Sequence, residues 1–163
     1  MDHEKNLRIT IKLALEAATE GLDPFAATLF KGTEMVASTI DKSILYSDPT
    51  AHAELILISE YCRSNKLISL EGFTLYANVE PCLMCSGAIH WSKLDRVVFS
   101  VSQSTLKKTS GGNSKPTCKD LLSYGGKRIE VIGPLIEEEG LKVLNSFQWK
   151  SKKERHQQYH RKE

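Results

Sequence analysis

Residues 73–101 read FTLYANVEPCLMCSGAIHWSKLDRVVFSV, and the fold turns on this stretch. Phe73–Val79 is an apolar run with β-formers that reads as a strand, interrupted at Pro81. A helix follows from Cys82 to about Ser92, and Arg96–Val101 reads as the next strand.

The alternation continues on both sides. Upstream, Leu7, Ile11, Ala14, Leu15 and Ala18 recur at helical spacing between about Glu4 and Glu20, and Gly21 stands where a C-cap would. Phe25–Phe30 and Met35–Thr39 read as strands joined by the turn Lys31-Gly32-Thr33-Glu34. Asp48-Pro49-Thr50 signals a turn and a helix start, with a helix over Ala51–Arg63. Downstream, residues 102–116 are polar, with Leu106 the only large apolar side chain, and read as a lid or a disordered loop. Thr117–Tyr124 reads as a short helix and Ile129–Ile132 as a last strand before Gly133-Pro134. One long helix is expected from near Leu135 into the C-terminal tail. The pattern α-β-β-α-β-α-β-α-β-α implies an α/β fold, a sheet covered by helices on both faces. The connection from Val101 to Ile129 is too long for a hairpin, so the last strand should run parallel to its predecessor.

Composition agrees with a folded chain. Of 163 residues, 40% are apolar and 26% charged, which argues against disorder and fits one domain over residues 1–163. No run of about 18 apolar residues exists, so no membrane span is expected. The opening Met1-Asp2-His3-Glu4-Lys5 shows no secretory signal, and a soluble cytoplasmic protein is expected. The net charge of +2 is unevenly spread. Residues 149–163 hold six basic and two acidic side chains, leaving 16 basic against 18 acidic groups in the rest. The body is therefore no nucleic-acid surface by charge; only the tail is a candidate.

Chemistry concentrates in His52-Ala53-Glu54 and Pro81-Cys82-Leu83-Met84-Cys85, each at a helix start. Cys82 and Cys85, three apart, share one face of a first helical turn, where thiolates are favoured. Two thiolates and one imidazole make three zinc ligands and leave a fourth tetrahedral position open to water, the arrangement of a catalytic site. Glu54 is a hard carboxylate beside a soft site, suited to moving protons to and from that water. An activated water with a proton shuttle points to hydrolysis. The same spacing also serves a redox pair, or a closed structural site completed by Cys62 or Cys118.

The full pattern H-x-E…P-C-x-x-C resembles that of the zinc deaminases. Residues from Pro24 to Ser100 resemble the cytidine-deaminase-like superfamily, in particular its guanine deaminases and tRNA adenosine deaminases. The segments that carry the likeness are Asp48–Glu54, Thr74-Leu75-Tyr76, Glu80–Cys85 and Gly87-Ala88-Ile89. The resemblance implies a three-layer α/β/α sandwich with a mixed five-stranded sheet, one Zn2+ on His52, Cys82 and Cys85, Glu54 as catalytic acid and base, and a homodimer. Pro24-Phe25-Ala26-Ala27 looks like the Pro-Phe-Gly-Ala of nucleobase deaminases, and Trp91 is placed as in guanine deaminases. Against the tRNA branch, the loop after Val101 lacks its Lys-x-Gly-Ala stretch; for it stands the basic tail. The branches usually place an asparagine where this chain has Asp41. An ionised aspartate only accepts hydrogen bonds, so a ligand facing Asp41 must donate. Asp41 either lines the pocket or is a loop residue one register away. Phe25 and Trp91 either stack on a purine ring or pack between helix and sheet. The backbone N–H of Ala53 is the candidate donor to a substrate carbonyl. The expected activity is zinc-dependent deamination of a purine-type, guanine-like nucleobase or related small heterocycle. Two alternatives stay open: tRNA adenosine deamination, and a non-catalytic zinc-binding partner subunit.

Overall fold

Side chains of the central strand alternate between two apolar layers, and this stacks the molecule. The structure is a computed structural model that describes residues 2–111, 116–124 and 126–161. Strands β1 (Ala26–Lys31), β2 (Glu34–Ile40), β3 (Phe73–Val79), β4 (Arg96–Val101) and β5 (Glu130–Ile132) form one sheet in the order β2-β1-β3-β4-β5. β1 runs antiparallel to both β2 and β3, whereas β3, β4 and β5 are parallel, so the sheet is mixed. The long connection before β5 makes it parallel to β4, as its length requires.

Phe73, Leu75 and Ala77 of β3 face one layer, with Leu57 and Ile58 of α2 (Ala53–Asn65), Ile89 of α3 (Leu83–Trp91) and Leu122 of α5 (Cys118–Ser123). Tyr76 points to the other face, where Leu7 of α1 (His3–Thr19) covers it. Val143 of α6 (Glu137–Ser146) joins Ile11 and Ala14 of α1 on that same side. The result is a three-layer α/β/α sandwich. β3 is buried along its whole length, which is why its sequence is mostly apolar, with only Thr74 and Asn78 polar. No helix among the described residues is long and apolar enough to cross a membrane.

Helix α6 comes close to β4 at Gly140. A Cβ there would lie 2.6 Å from Val101 Cγ2 and 2.7 Å from Ser100 Oγ. Gly140→Ala should therefore cost about 1–3 kcal/mol by overpacking, read as a lower urea midpoint at unchanged slope.

Two sequence expectations need correction. The polar stretch after Val101 is not a plain loop: α4 spans Gln103–Ser110, with Ser102 as its N-cap. Leu106 anchors it against Val79, Val101 and Leu144. Glu137 accepts hydrogen bonds from the Ser102 N–H and hydroxyl, both at 3.0 Å. Residues 112–115 of that stretch lie outside the described residues. The long C-terminal helix is in fact two, α6 and α7 (Lys152–His160). Between them Trp149 Nε1 donates to the Leu144 carbonyl at 3.0 Å. Ser151 and Glu154 then start α7 with a capping box.

Candidate functional site

Two helix starts converge at the carboxyl end of β3. In the turn before α2, Asp48 Oδ1 accepts from the Thr50 N–H and hydroxyl, and the Lys42 N–H reaches the Ala51 carbonyl at 2.9 Å. His52 thus becomes the N-cap of α2 with extended backbone. Pro81 ends the strand segment, and Cys82 becomes the N-cap of α3 in the same conformation. Neither side chain caps its own helix, so both turn toward each other.

His52 Nδ1 lies 3.6 Å from Cys82 Sγ and 3.8 Å from Cys85 Sγ. The three donor atoms all fall within 4.8 Å of one another. A tetrahedral zinc ion, with Zn–S of about 2.3 Å and Zn–N of about 2.0 Å, separates N and S ligands by about 3.5 Å. The donor set and its spacing fit zinc. Among the described residues no fourth His or Cys joins the cluster. The donor atoms of Cys62 and Cys118 do not join the group formed by His52, Cys82 and Cys85, so neither completes a closed structural site. The arrangement is the open, three-ligand type.

The charges of the cluster lean on one another. The hydrogen bond from Cys85, with a further one from His52, brings the Cys82 thiol down to about 4. Its hydrogen bond with Cys82 raises the pKa of His52. Glu54, in the first turn of α2, is buried; desolvation first, then the negative Cys82, pushes it up to about 7.

A cavity of about 170 Å³ opens at the cluster. His52, Glu54 and Cys82 line it together with Phe25 and Asp41, which form one wall, and with Gln103 and Leu106 of α4. Asp41 is only 3% exposed, and Ser43 donates to its Oδ1 through both the N–H and the hydroxyl. Burial raises its pKa. Asp41 and Phe25 thus both border the cavity. Ala53 packs into the core as the first residue of α2, with its neighbours on either side lining the cavity.

Trp91 must be moved. It is 80% exposed and lines no part of this cavity. Ile89 of the same helix is buried, and two further residues carry the chain about 200° round to the opposite face. It is thus neither a pocket aromatic nor a core residue.

Three polar residues of the cavity, Asn78, Glu80 and Gln103, receive no role in the sequence reading. Asn78 accepts from the Ala26 N–H at 2.8 Å and donates to the Pro24 carbonyl at 2.9 Å, pinning β1's start. Glu80 accepts from the backbone N–H groups of Gln103 and Cys118, both at 2.9 Å, and so holds α4 and α5 beside the site. A polar residue closing an apolar strand was the available signal. Asn78→Ala leaves a buried N–H and a carbonyl unpaired. A loss of about 2–3 kcal/mol in chemical denaturation is expected.

The family model for the cytidine and deoxycytidylate deaminase zinc-binding region matches residues 1–101. A tRNA-specific adenosine deaminase of Aquifex aeolicus (strain VF5) is 37% identical over 154 residues, 90% of this chain and 99% of that one. A probable cytosine deaminase of Schizosaccharomyces pombe (strain 972 / ATCC 24843) is 34% identical over 140 residues, 83% and 85% of the two chains. The X-ray structure of guanine deaminase from Bacillus subtilis superposes with a TM-score of 0.66 at 26% identity, over 93% of this chain and 99% of that one. All three are named deaminases, and they differ in the substrate their names give. The chain belongs to the cytidine and deoxycytidylate deaminase zinc-binding family, and it is a zinc-dependent deaminase.

Proposed function

We propose that the chain hydrolytically releases ammonia from a free nucleobase, purine-type and guanine-like, or from a related small heterocycle. The observation that carries this reading is the cavity. An engineered cavity of about 150 Å³ holds benzene, so about 170 Å³ takes the amino-bearing six-membered ring of a base, with a purine's second ring lying toward the mouth. Asp41, Glu54 and Glu80 around it disfavour phosphate.

His52, Cys82 and Cys85 would hold the zinc. Zinc so held supplies hydroxide at neutral pH, because it draws the pKa of water down toward about 7. The Glu54 carboxylate takes a proton from water and delivers it to a ring nitrogen. It then takes the proton of the hydroxyl newly bonded to the ring carbon and delivers it to the amine, which leaves as ammonia when the C–N bond breaks. Ser43 occupies Oδ1 of Asp41, which leaves the other oxygen to accept from a ring N–H. The Ala53 N–H, in a first helical turn without an intrahelical acceptor, donates to a substrate carbonyl. Phe25 offers a ring face for stacking.

Residues 1–163 act in this reading as one deaminase domain with a basic C-terminal segment at 149–163, whose described part, 149–161, folds onto it. A cytoplasmic setting, which keeps Cys82 and Cys85 reduced, goes with it. Exposed Leu83, Trp91 and Tyr124 on and beside α3 support a homodimer. The test of function is ammonia release by zinc-loaded protein from guanine, adenine, cytosine, their nucleosides and a triazine. Turnover of at least one free base ahead of its nucleoside is expected; inactivity across the panel overturns the reading.

The likeness to tRNA-specific adenosine deaminases and the exposed Lys150, Lys152 and Lys153 favour a second reading, adenosine deamination in tRNA. The same cavity would then take a flipped base. It requires tRNA binding that weakens steeply with salt and with the Lys150→Ala/Lys152→Ala/Lys153→Ala triple variant. A gel-shift titration without salt-dependent binding removes it.

A further inference from the structure

The basic tail does not stand off the molecule. Arg155 of α7 forms a two-pronged ion pair with Asp23, Nε to Oδ1 at 2.8 Å and Nη2 to Oδ2 at 3.0 Å. The Arg155 and Asp23 side chains are only 12% and 3% exposed. The guanidinium also lies 5.7 Å from the Trp149 ring and 5.9 Å from the Phe147 ring, and it donates to the Lys150 carbonyl. Trp149 in turn packs against Phe25, their ring centres 6.0 Å apart. Phe25 is a wall of the cavity.

A second line of contacts reaches the other part of that wall. His156 Nε2 meets Ser47 Oγ at 2.7 Å, and His160 Nε2 lies 3.0 Å from the Ile44 carbonyl. Tyr159 packs on Ala17, Leu22 and Ile44. Ile44 and Ser47 belong to the loop that begins at Asp41 and ends at His52. The two parts are joined directly, because the Asp41 N–H donates to the Phe25 carbonyl at 2.8 Å. Residues 147–160 thus back the Phe25–Asp41 wall from behind without touching the cavity.

We propose that Arg155 and Trp149 are positioning residues that hold Phe25 and Asp41 in the geometry that receives the base. A bidentate guanidinium between two aromatic faces is a rigid joint, which a lysine's point charge does not reproduce. The inference deepens the free-base reading and rests on it for its kinetic arm. It also assigns the tail's one deeply placed cation to an internal contact, apart from any surface lysine.

The experiment compares zinc-loaded full-length protein with Arg155→Ala, Arg155→Lys, Trp149→Ala and the surface control Lys12→Ala on α1. Hydrogen exchange should quicken at least tenfold in peptides covering 23–30 and 41–52 for Arg155→Ala and Trp149→Ala. Peptides from α3, and zinc content, should stay at the wild-type level. With whichever panel base is turned over, KM should rise about tenfold while kcat stays within about threefold, with Arg155→Lys in between. Lys12→Ala should match wild type. Unchanged protection at 41–52, or a fall in kcat with KM unmoved, overturns the proposal. If no base is turned over, the functional reading fails, while exchange still decides the proposed joint. Should Arg155→Ala not fold, Trp149→Phe replaces it, keeping a ring against Phe25 but losing the Leu144 bond.

Discussion

Glu54→Gln is expected to keep its zinc and lose its turnover. The substitution preserves the shape of a buried side chain and leaves His52, Cys82 and Cys85 in place, so metal content and thermal midpoint should stay near wild type. An amide cannot carry the proton between water, ring nitrogen and leaving amine. One carboxylate serves each of these transfers, so kcat should fall by at least the ~10²–10⁴ of a lost general acid–base. Metal analysis beside steady-state rates reads both effects on one sample. A variant that lost zinc yet recovered activity in added metal would make Glu54 a ligand, and the assigned roles would be wrong.

Cys82→Ala should fail in the opposite order. Removing one of three donors leaves His52 and Cys85, and two protein ligands hold zinc far less well than three. Zinc should drop to trace levels after dialysis, and activity should vanish with it at any substrate concentration. The core residues of α2 and α3 pack without reference to the metal, so far-ultraviolet circular dichroism should change little. Retention of stoichiometric zinc would show that the cluster is not the metal site.

Strands β3 and β4 match the sequence reading to the residue, because both are buried central strands followed at once by polar chain, from Glu80 and from Ser102. His52, Cys82 and Cys85 were equally legible: their donor chemistry is local to two short motifs, and only their meeting is a property of the fold. Helix α4 was not legible. It has one buried apolar residue, and its start is held by Glu80 and Glu137, which lie far off in the chain. The break before α7 did leave a mark in the Ser151-Lys152-Lys153-Glu154 capping box, but tail charge dominated the reading of that region. Trp91 failed for a different reason. It shares α3 with Cys85, yet helical rotation puts it on the solvent side of that helix.

The four residues assigned to metal and proton work sit on two adjoining helix starts, whereas residues 25, 41, 103 and 106, which also line the cavity, come from other segments. Reactivity and taste are thus written on separate stretches of chain. Such a layout lets one be rewritten while the other is left alone. A library confined to positions 25, 41, 103 and 106 would search for new rings, and zinc retention would show at each step that the reactive half was untouched.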